Sequence, residues 1–269
     1  METDIAVSLD TVVEKVNKPE VLRSSVEWIN EETLVLVVKA KTEEIENLSN
    51  FSLCGKKMID WVLLATSICT QKILESEKEI FENLLKFSHS YKQIAVFYSD
   101  TPLLQKATFL EIMTYFSARN MNFLPLPRGF VIRGEYAENY ENLLSSPLNN
   151  FGTDDFFIVS DAKSLSVAFK KLNRRILQFH KSQGVVLLGE ENIYIEADVQ
   201  IESGVIIYPF NTLKGETYIG KNVTLESGNY IEDSVVLDGA FVVQSYLEKS
   251  KVPENKSVGP FEKFINETL

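Results

Sequence analysis

Cysteine and histidine are scarce in this chain, and positive charge falls short of negative. Of 269 residues two are cysteine, Cys54 and Cys69, and two are histidine, His89 and His180. Two distant thiols with no C-x-x-C spacing make no disulfide framework, and two distant histidines suggest no local metal motif. Lysine and arginine number 27 against 38 aspartates and glutamates, a net charge of −11. Such a chain repels phosphate backbones, which argues against nucleic acid as a partner. No apolar run reaches the ~18 residues of a membrane span. The acidic start Met1-Glu2-Thr3-Asp4 lacks the basic region of a secretory signal. These absences speak against cysteine-protease, zinc-hydrolase and DNA-binding activities, and predict a cytoplasmic protein with no membrane partner. What is there is globular: 45% hydrophobic and 24% charged residues in 30.6 kDa, enough to bury a core.

The C-terminal part repeats. Ile195, Ile201, Ile207, Leu213, Ile219, Leu225, Ile231, Leu237 and Val243 follow one another at a spacing of six. A second series runs two residues ahead: Ile193, Val199, Val205, Asn211, Thr217, Val223, Asn229, Val235 and Phe241. A flat sheet would also bury every sixth residue, but it needs hairpins and long strict alternation, and neither is present. The hexapeptide period predicts a parallel β-helix of short strands, one inward aliphatic per side and three sides per coil. The register breaks at Lys249 and resumes at Val252 and Val258, which predicts one coil with a loop. Before the repeat, Leu165, Phe169, Leu172, Ile176 and Phe179 recur at helical spacing behind Asp161, a capping residue. Lys170, Lys171, Arg174 and Arg175 fill the other side of that helix as a solvated face, and His180 near its end reads as a packing residue.

The N-terminal half reads as α/β. Residues 33–38 and 94–98 are continuous apolar runs, as in strands buried on both faces. Residues 58–73, 75–87 and 107–116 predict helices, and 156–159 a further strand. The alternation implies a mostly parallel sheet with helices on its faces. Residues 124–152 read as loop-rich, with a short strand at 130–132, and 7–16 form an apolar-periodic stretch without an assigned role. The expected boundaries are an N-terminal extension at 1–32, a reduced α/β domain at 33–162, a linker helix at 163–183, a β-helix at 184–264 and a tail at 265–269. Asp100 ends the 94–98 strand, in Ser99-Asp100-Thr101-Pro102-Leu103. Ligands bind at the carboxyl ends of strands in open α/β sheets, and a carboxylate there suits Mg²⁺.

Three stretches carry a resemblance: Leu53-Cys54-Gly55-Lys56-Lys57-Met58-Ile59-Asp60-Trp61-Val62, Tyr98-Ser99-Asp100-Thr101-Pro102-Leu103-Leu104, and a long block ending in Val258-Gly259-Pro260-Phe261. The order of elements resembles GlmU, the bifunctional N-acetylglucosamine-1-phosphate uridyltransferase and glucosamine-1-phosphate acetyltransferase, in a truncated and degenerate form. The resemblance implies a nucleotidyltransferase-like, Rossmann-like α/β domain, a linker helix and a left-handed parallel β-helix that packs as a homotrimer. It further implies UDP-N-acetylglucosamine, a cell-wall precursor, as the related sugar nucleotide. Asp100 and Ser160 fall on the family's Mg²⁺ ligands, the second an Asn in the family, and Lys39 and Lys41 are the weak candidates for nucleotide contacts. The family's Gly-rich phosphate loop, whose backbone N–H groups and Arg meet the phosphates, is replaced by Lys39-Ala40-Lys41-Thr42-Glu43-Glu44-Ile45. The uridine-binding stretch and the acetyltransferase His have no counterpart. Two functions follow: a pseudoenzyme serving as a trimeric binding or assembly module, or an active nucleotidyltransferase using Mg²⁺ and a rebuilt site. Acetyl transfer is not expected.

Overall fold

The computed structural model describes residues 29–41, 50–144, 151 and 154–269. The chain forms two compact units, and the second begins at Phe169. The division falls inside a long helix. Among the described residues no helix is long and apolar enough to cross a membrane.

The first unit is built on a five-stranded sheet. Its strands are β1 (Thr33–Val38), β4 (Thr70–Leu74), β5 (Gln93–Tyr98), β6 (Phe123–Leu126) and β7 (Gly129–Arg133); β2 (Ser52–Leu53) and β3 (Lys56–Lys57) pair as a small separate hairpin. The sheet order is β4-β1-β5-β7-β6. β4, β1 and β5 run parallel, and β7 and β6 return antiparallel, so the sheet is more mixed than the alternation implied. All six residues of β1 and of β5 are buried, as expected for strands covered on both faces. Helices α1 (Met58–Ala65), α2 (Ile80–Phe87), α3 (Lys106–Ala118) and the single turn α4 (Tyr140–Leu143) complete this unit.

Three of the expected elements need correction. The helix expected over 58–73 ends at Ala65, because Thr66 turns its hydroxyl back to the Val62 carbonyl at 2.9 Å and competes for the backbone. The residues after it become β4 and pair with β1. The strand expected at 156–159 is instead a turn followed by an extended segment. Asp155 is held there by the Gln105 side chain and the Thr108 hydroxyl, and Phe156 stacks on Phe97, so Phe156 packs beneath the sheet edge without joining a strand. Within 124–152, read as loop-rich, Leu124-Pro125-Leu126 belongs to β6. That strand lies at the sheet edge, where a proline costs no ladder hydrogen bond.

Helix α5 (Ala162–Ser182) starts as its sequence indicates. The Ser164 N–H donates to Asp161 Oδ1 at 2.6 Å, and the Asp161 N–H donates to Ser164 Oγ at 3.0 Å, a reciprocal cap. His180 is buried, 3% exposed, and its Nδ1 finds no hydrogen-bond partner. Burial pushes its pKa down to about 4.

The second unit is a three-sided prism of two- and three-residue strands, β8 (Val186–Leu187) to β21 (Lys263–Ile265), in three parallel stacks of five, five and four. Ile195, Ile207, Leu213, Ile219, Leu225 and Ile231 are all fully buried at the spacing of six. Beyond Ile231 the inner positions are Val236, Val242, Leu247, Val252 and Val258, not Leu237 and Val243. The frame changes at Asp233, which takes a left-handed backbone, φ 48°, and closes the corner one residue sooner. Val235 and Phe241 consequently turn outward, and Ser234 and Ala240 take the inner rows. A second five-residue side follows at Gln244, between Val242 and Leu247, and the break expected at Lys249 is a third, not a loop.

Candidate functional site

The carboxyl edge of the sheet gathers the polar residues of the first unit. β5 delivers Ser99 and Asp100 there, and β1 delivers Lys39 and Ala40. Ser99 is fully buried, and its Oγ accepts the Ala40 N–H at 2.9 Å. A serine therefore satisfies a backbone donor just past β1. Thr101 folds its hydroxyl back to the Tyr98 carbonyl at 2.9 Å, which fixes the turn carrying Asp100.

Asp100 is 4% exposed and meets an arginine. The two-residue turn Pro127-Arg128 between β6 and β7 brings Arg128 over the edge. Gly129 permits that approach: its φ is +114°, and a Cβ there would sit 2.1 Å from the Val96 carbonyl oxygen. Arg128 Nε donates to Asp100 Oδ1 and Oδ2 at 3.2 and 3.1 Å, and Nη2 lies 2.9 Å from Oδ2. Its Nη1 lies 3.7 Å from Glu77 Oε1, and the guanidinium covers the Tyr98 ring at 3.7 Å. The planar fork suits a carboxylate better than any lysine would. Burial raises the Asp100 pKa, and Arg128 only partly opposes that. Burial, with Glu77 beside it, pushes the Tyr98 phenol up to about 12.

The sequence-predicted residues are only partly brought together. The Val159 N–H donates to the Asp100 carbonyl at 2.8 Å, so Ser160 does follow directly after a residue bonded to Asp100. Ser160 is exposed, however, and its N–H is engaged by Ser164 Oγ at the start of α5. Lys39 Nζ pairs with Glu75 at 2.7 Å, and Lys41 is exposed. Residues 42–49, where a phosphate loop would continue, lie outside the described residues. Among the described residues named at this edge, Lys39, Lys41 and Arg128 stand with the carboxylates Glu75, Glu77 and Asp100, and Lys39 and Arg128 are already paired with them.

These residues do not fit a Mg²⁺ ion. Both Asp100 oxygens are engaged by one guanidinium, and among the described residues no group of three or more His, Cys, Asp or Glu could hold a metal. Sequence reasoning missed Arg128 and Glu77. The only signal for Arg128 was the Pro-Arg-Gly turn, which says nothing of its partner until the hairpin is known to lie beside β5.

No family model matches the chain. It is similar to the bifunctional protein GlmU of Clostridium kluyveri, 39% identical over 103 residues, which is 38% of this chain and 23% of that protein. It is 35% identical over 128 residues to GlmU of Streptococcus gordonii, 48% of this chain and 28% of that protein. With GlmU of Clostridium acetobutylicum it shares 44% over 92 residues, 34% and 20% of the two chains. The matches thus span between 20% and 28% of the length of these curated relatives. A solved structure, the molybdopterin-guanine dinucleotide biosynthesis protein A from Archaeoglobus fulgidus, covers 53% of this chain and 99% of its own at 13% identity and a TM-score of 0.40.

Proposed function

We propose that this GlmU-like chain belongs to sugar-nucleotide metabolism as a pseudoenzyme, a homotrimeric binding or assembly module that uses no Mg²⁺. One observation carries the reading: the Arg128 fork holds both oxygens of the one carboxylate that the resemblance assigns to the metal. Nucleotidyl transfer depends on cations and backbone donors aimed at the phosphates. At this edge Lys39 and Arg128 are already paired with carboxylates, and the Ala40 N–H is spent on Ser99. A triphosphate would have to displace these ion pairs to gain neutralisation. The prism supports the trimeric part of the reading, because it offers flat sides for self-packing. The ligand most consistent with the resemblance is UDP-N-acetylglucosamine or a related sugar nucleotide, bound without turnover.

The runner-up, an active uridyltransferase built on Lys39, Lys41 and Asp100, is favoured by the survival of the strand-end carboxylate alone. It requires Arg128 to leave Asp100 when substrate and metal arrive. Pyrophosphate release from UTP and N-acetylglucosamine 1-phosphate with Mg²⁺ separates the two. The expected result is no turnover, and no Mg²⁺-dependent heat of UTP binding at tens of micromolar. Turnover that vanishes in Asp100→Ala would overturn the proposal in favour of the enzyme.

A further inference from the structure

The sheet of the first unit has two covered faces. Val35, Val37, Ala95 and Phe97 pack with α1 and α3, and Leu34, Leu36, Ile94 and Val96, which alternate with them, pack with α2. A column of rings rises through the second face. Phe123 of β6 lies 5.4 Å from Phe130 of β7, Phe130 lies 5.5 Å from Tyr140 of α4, and Tyr140 lies 6.2 Å from Phe81 of α2. The foot of the column is buried, whereas Phe81 at its head is 41% exposed. There the column joins two apolar pairs. Leu85 follows Phe81, and Leu144 follows Tyr140, each four residues on, so the members of a pair stand on one helix face about 6 Å apart along the axis. The Leu144 N–H donates to the Tyr140 carbonyl at 3.2 Å, which continues the turn of α4. Leu85 and Leu144 are 36% and 50% exposed. Apolar side chains scattered singly over a surface need no explanation; a contiguous group on a rigid base does.

The rim of this group is acidic. Residues 76–87 and 134–144 hold six glutamates and two lysines, and no cation stands between Gly134 and Leu144. Glu82, Glu138 and Glu141 are exposed and, among the described residues, form no ion pair. Of the two lysines, Lys86 lies over the Phe87 ring at 5.6 Å. Burial, with Glu141 and Glu77 beside it, raises the Tyr140 phenol, as expected where carboxylates surround the head of the column. The tyrosine side of the prism, equally rich in carboxylates, differs. Its Tyr194, Tyr230 and Tyr246 lie in one stack and donate to Glu196, Glu232 and Glu248, so those acids are engaged within the chain. Glu82, Glu138 and Glu141 have no such partner to satisfy them.

We propose that this surface docks a basic amphipathic helix of another protein, its apolar stripe on Phe81, Leu85, Tyr140 and Leu144 and its lysines or arginines on the glutamate rim. Anchors at i, i+4 and i+7 of such a helix span about 10 Å, within reach of two pairs held one turn apart on adjacent helices. Charge selects among the occupants. A second copy docking face to face brings the same glutamates, an anionic lipid surface its headgroups and a nucleic acid its phosphates, and the rim repels all three. A cationic segment gains apolar contact on the rings and attraction from the rim. Nothing in this surface depends on turnover at the carboxyl edge of the sheet.

Fluorescence anisotropy of a fluorescein-labelled amphipathic peptide of leucine, phenylalanine and lysine, titrated with the full chain, reads the docking. Saturable binding is expected with a Kd below about 100 μM, lost when the peptide's lysines become glutamate or its apolar anchors glutamine. Phe81→Ser with Leu144→Ser should weaken it about tenfold or more, with an unchanged circular-dichroism spectrum because both side chains are exposed. Phe51→Ser, at an exposed aromatic next to β2, should leave it intact. Glu82→Gln with Glu141→Gln should weaken binding about threefold or more at low salt and flatten its salt dependence. Absence of saturable binding, wild-type affinity in the serine variant, or an equal loss in Phe51→Ser overturns the proposal. Should the serine variant misfold, the glutamine variant decides, and wild-type affinity with wild-type salt dependence overturns it. Binding to phosphatidylserine vesicles in place of the peptide gives the face to another occupant and overturns it. So does a molecular mass that drops in the serine variant while the peptide stays unbound. Pyrophosphate release at the carboxyl edge would end the pseudoenzyme reading and leave this surface standing.

Discussion

In the prism buried polar side chains turn to the next coil in two ladders; at the sheet's carboxyl edge a buried carboxylate depends on one guanidinium. Asn211 donates to the Tyr208 and Glu226 carbonyls at 2.7 and 2.9 Å, and its Oδ1 accepts from Asn229 Nδ2 at 2.9 Å. Asn229 Oδ1 in turn accepts the Ser245 N–H at 3.0 Å. Thr217, Ser234 and Ser250 form a second ladder of the same kind. Asp100 belongs to no such ladder, and Arg128 divides itself between it, Glu77 and the Tyr98 ring. The difference teaches where damage spreads. A repeat distributes its polar satisfaction over coils that touch only their neighbours, whereas a single buried ion pair fails as a whole when one partner goes.

The largest effect that sharpens this comparison is expected in the prism core. Ile207→Ala should lower stability by about 2–5 kcal/mol, seen as an earlier urea midpoint for the second unit. An unchanged midpoint would break the register. At the other pole, Arg128→Ala should destabilise the first unit by about 3 kcal/mol, since Arg128 is partly exposed and the loss falls at the low end for a buried pair. Without Arg128 the Asp100 pKa rises further, so this loss is present at neutral pH and shrinks as pH falls and the carboxyl takes up a proton. Replacing both residues by leucine should recover most of it, and a double variant as weak as the single would contradict the ion-pair account.

His180 tests a third case, a buried imidazole whose Nδ1 has no hydrogen-bond partner. Its folded pKa is held down to about 4, below the ordinary value of 6.5. The unfolded chain therefore binds the extra proton between these values, and stability is full above pH 6.5 and falls as pH drops toward 4. The loss should reach about 3 kcal/mol and vanish in His180→Leu, as measured by chemical denaturation across that range. The smallest expected effect is Leu237→Ala, at less than about 1 kcal/mol, because the shortened corner turns Leu237 away from the core. Val236→Ala should cost about 2 kcal/mol; a reversed order would restore the unbroken hexapeptide frame.

Legibility divides along the same line. The period of six was readable from Ile195 to Ile231 because a repeated steric demand leaves a repeated residue type. It failed at Asp233 because the missing residue lies at an exposed corner, where backbone conformation and not hydrophobicity sets the count. In the first unit β1 and β5 were plain as apolar runs, and Asp100 stood out at a strand end. Arg128 was hidden because its partner is fixed only by the β6–β7 hairpin lying antiparallel beside β5. Ser160 follows Val159, which bonds Asp100, but the claim of Ser164 on the Ser160 N–H comes from the cap of α5, a local bond that no resemblance announces.

The tyrosine side of the prism has an optical consequence. Tyr230 and Tyr246 lie 5.0 Å apart with their rings 2° from parallel, and hydrogen bonds to Glu232 and Glu248 push both phenols up to about 12. Two chromophores held face to face couple their transitions, so the prism should carry a near-ultraviolet circular-dichroism couplet that disappears when its coils separate. The chain's two tryptophans, Trp28 and Trp61, both precede Phe169. In a Trp28→Phe variant the remaining indole, Trp61 of α1, follows the α/β unit, and the two spectra read the melting of each half in one cuvette, with no label attached.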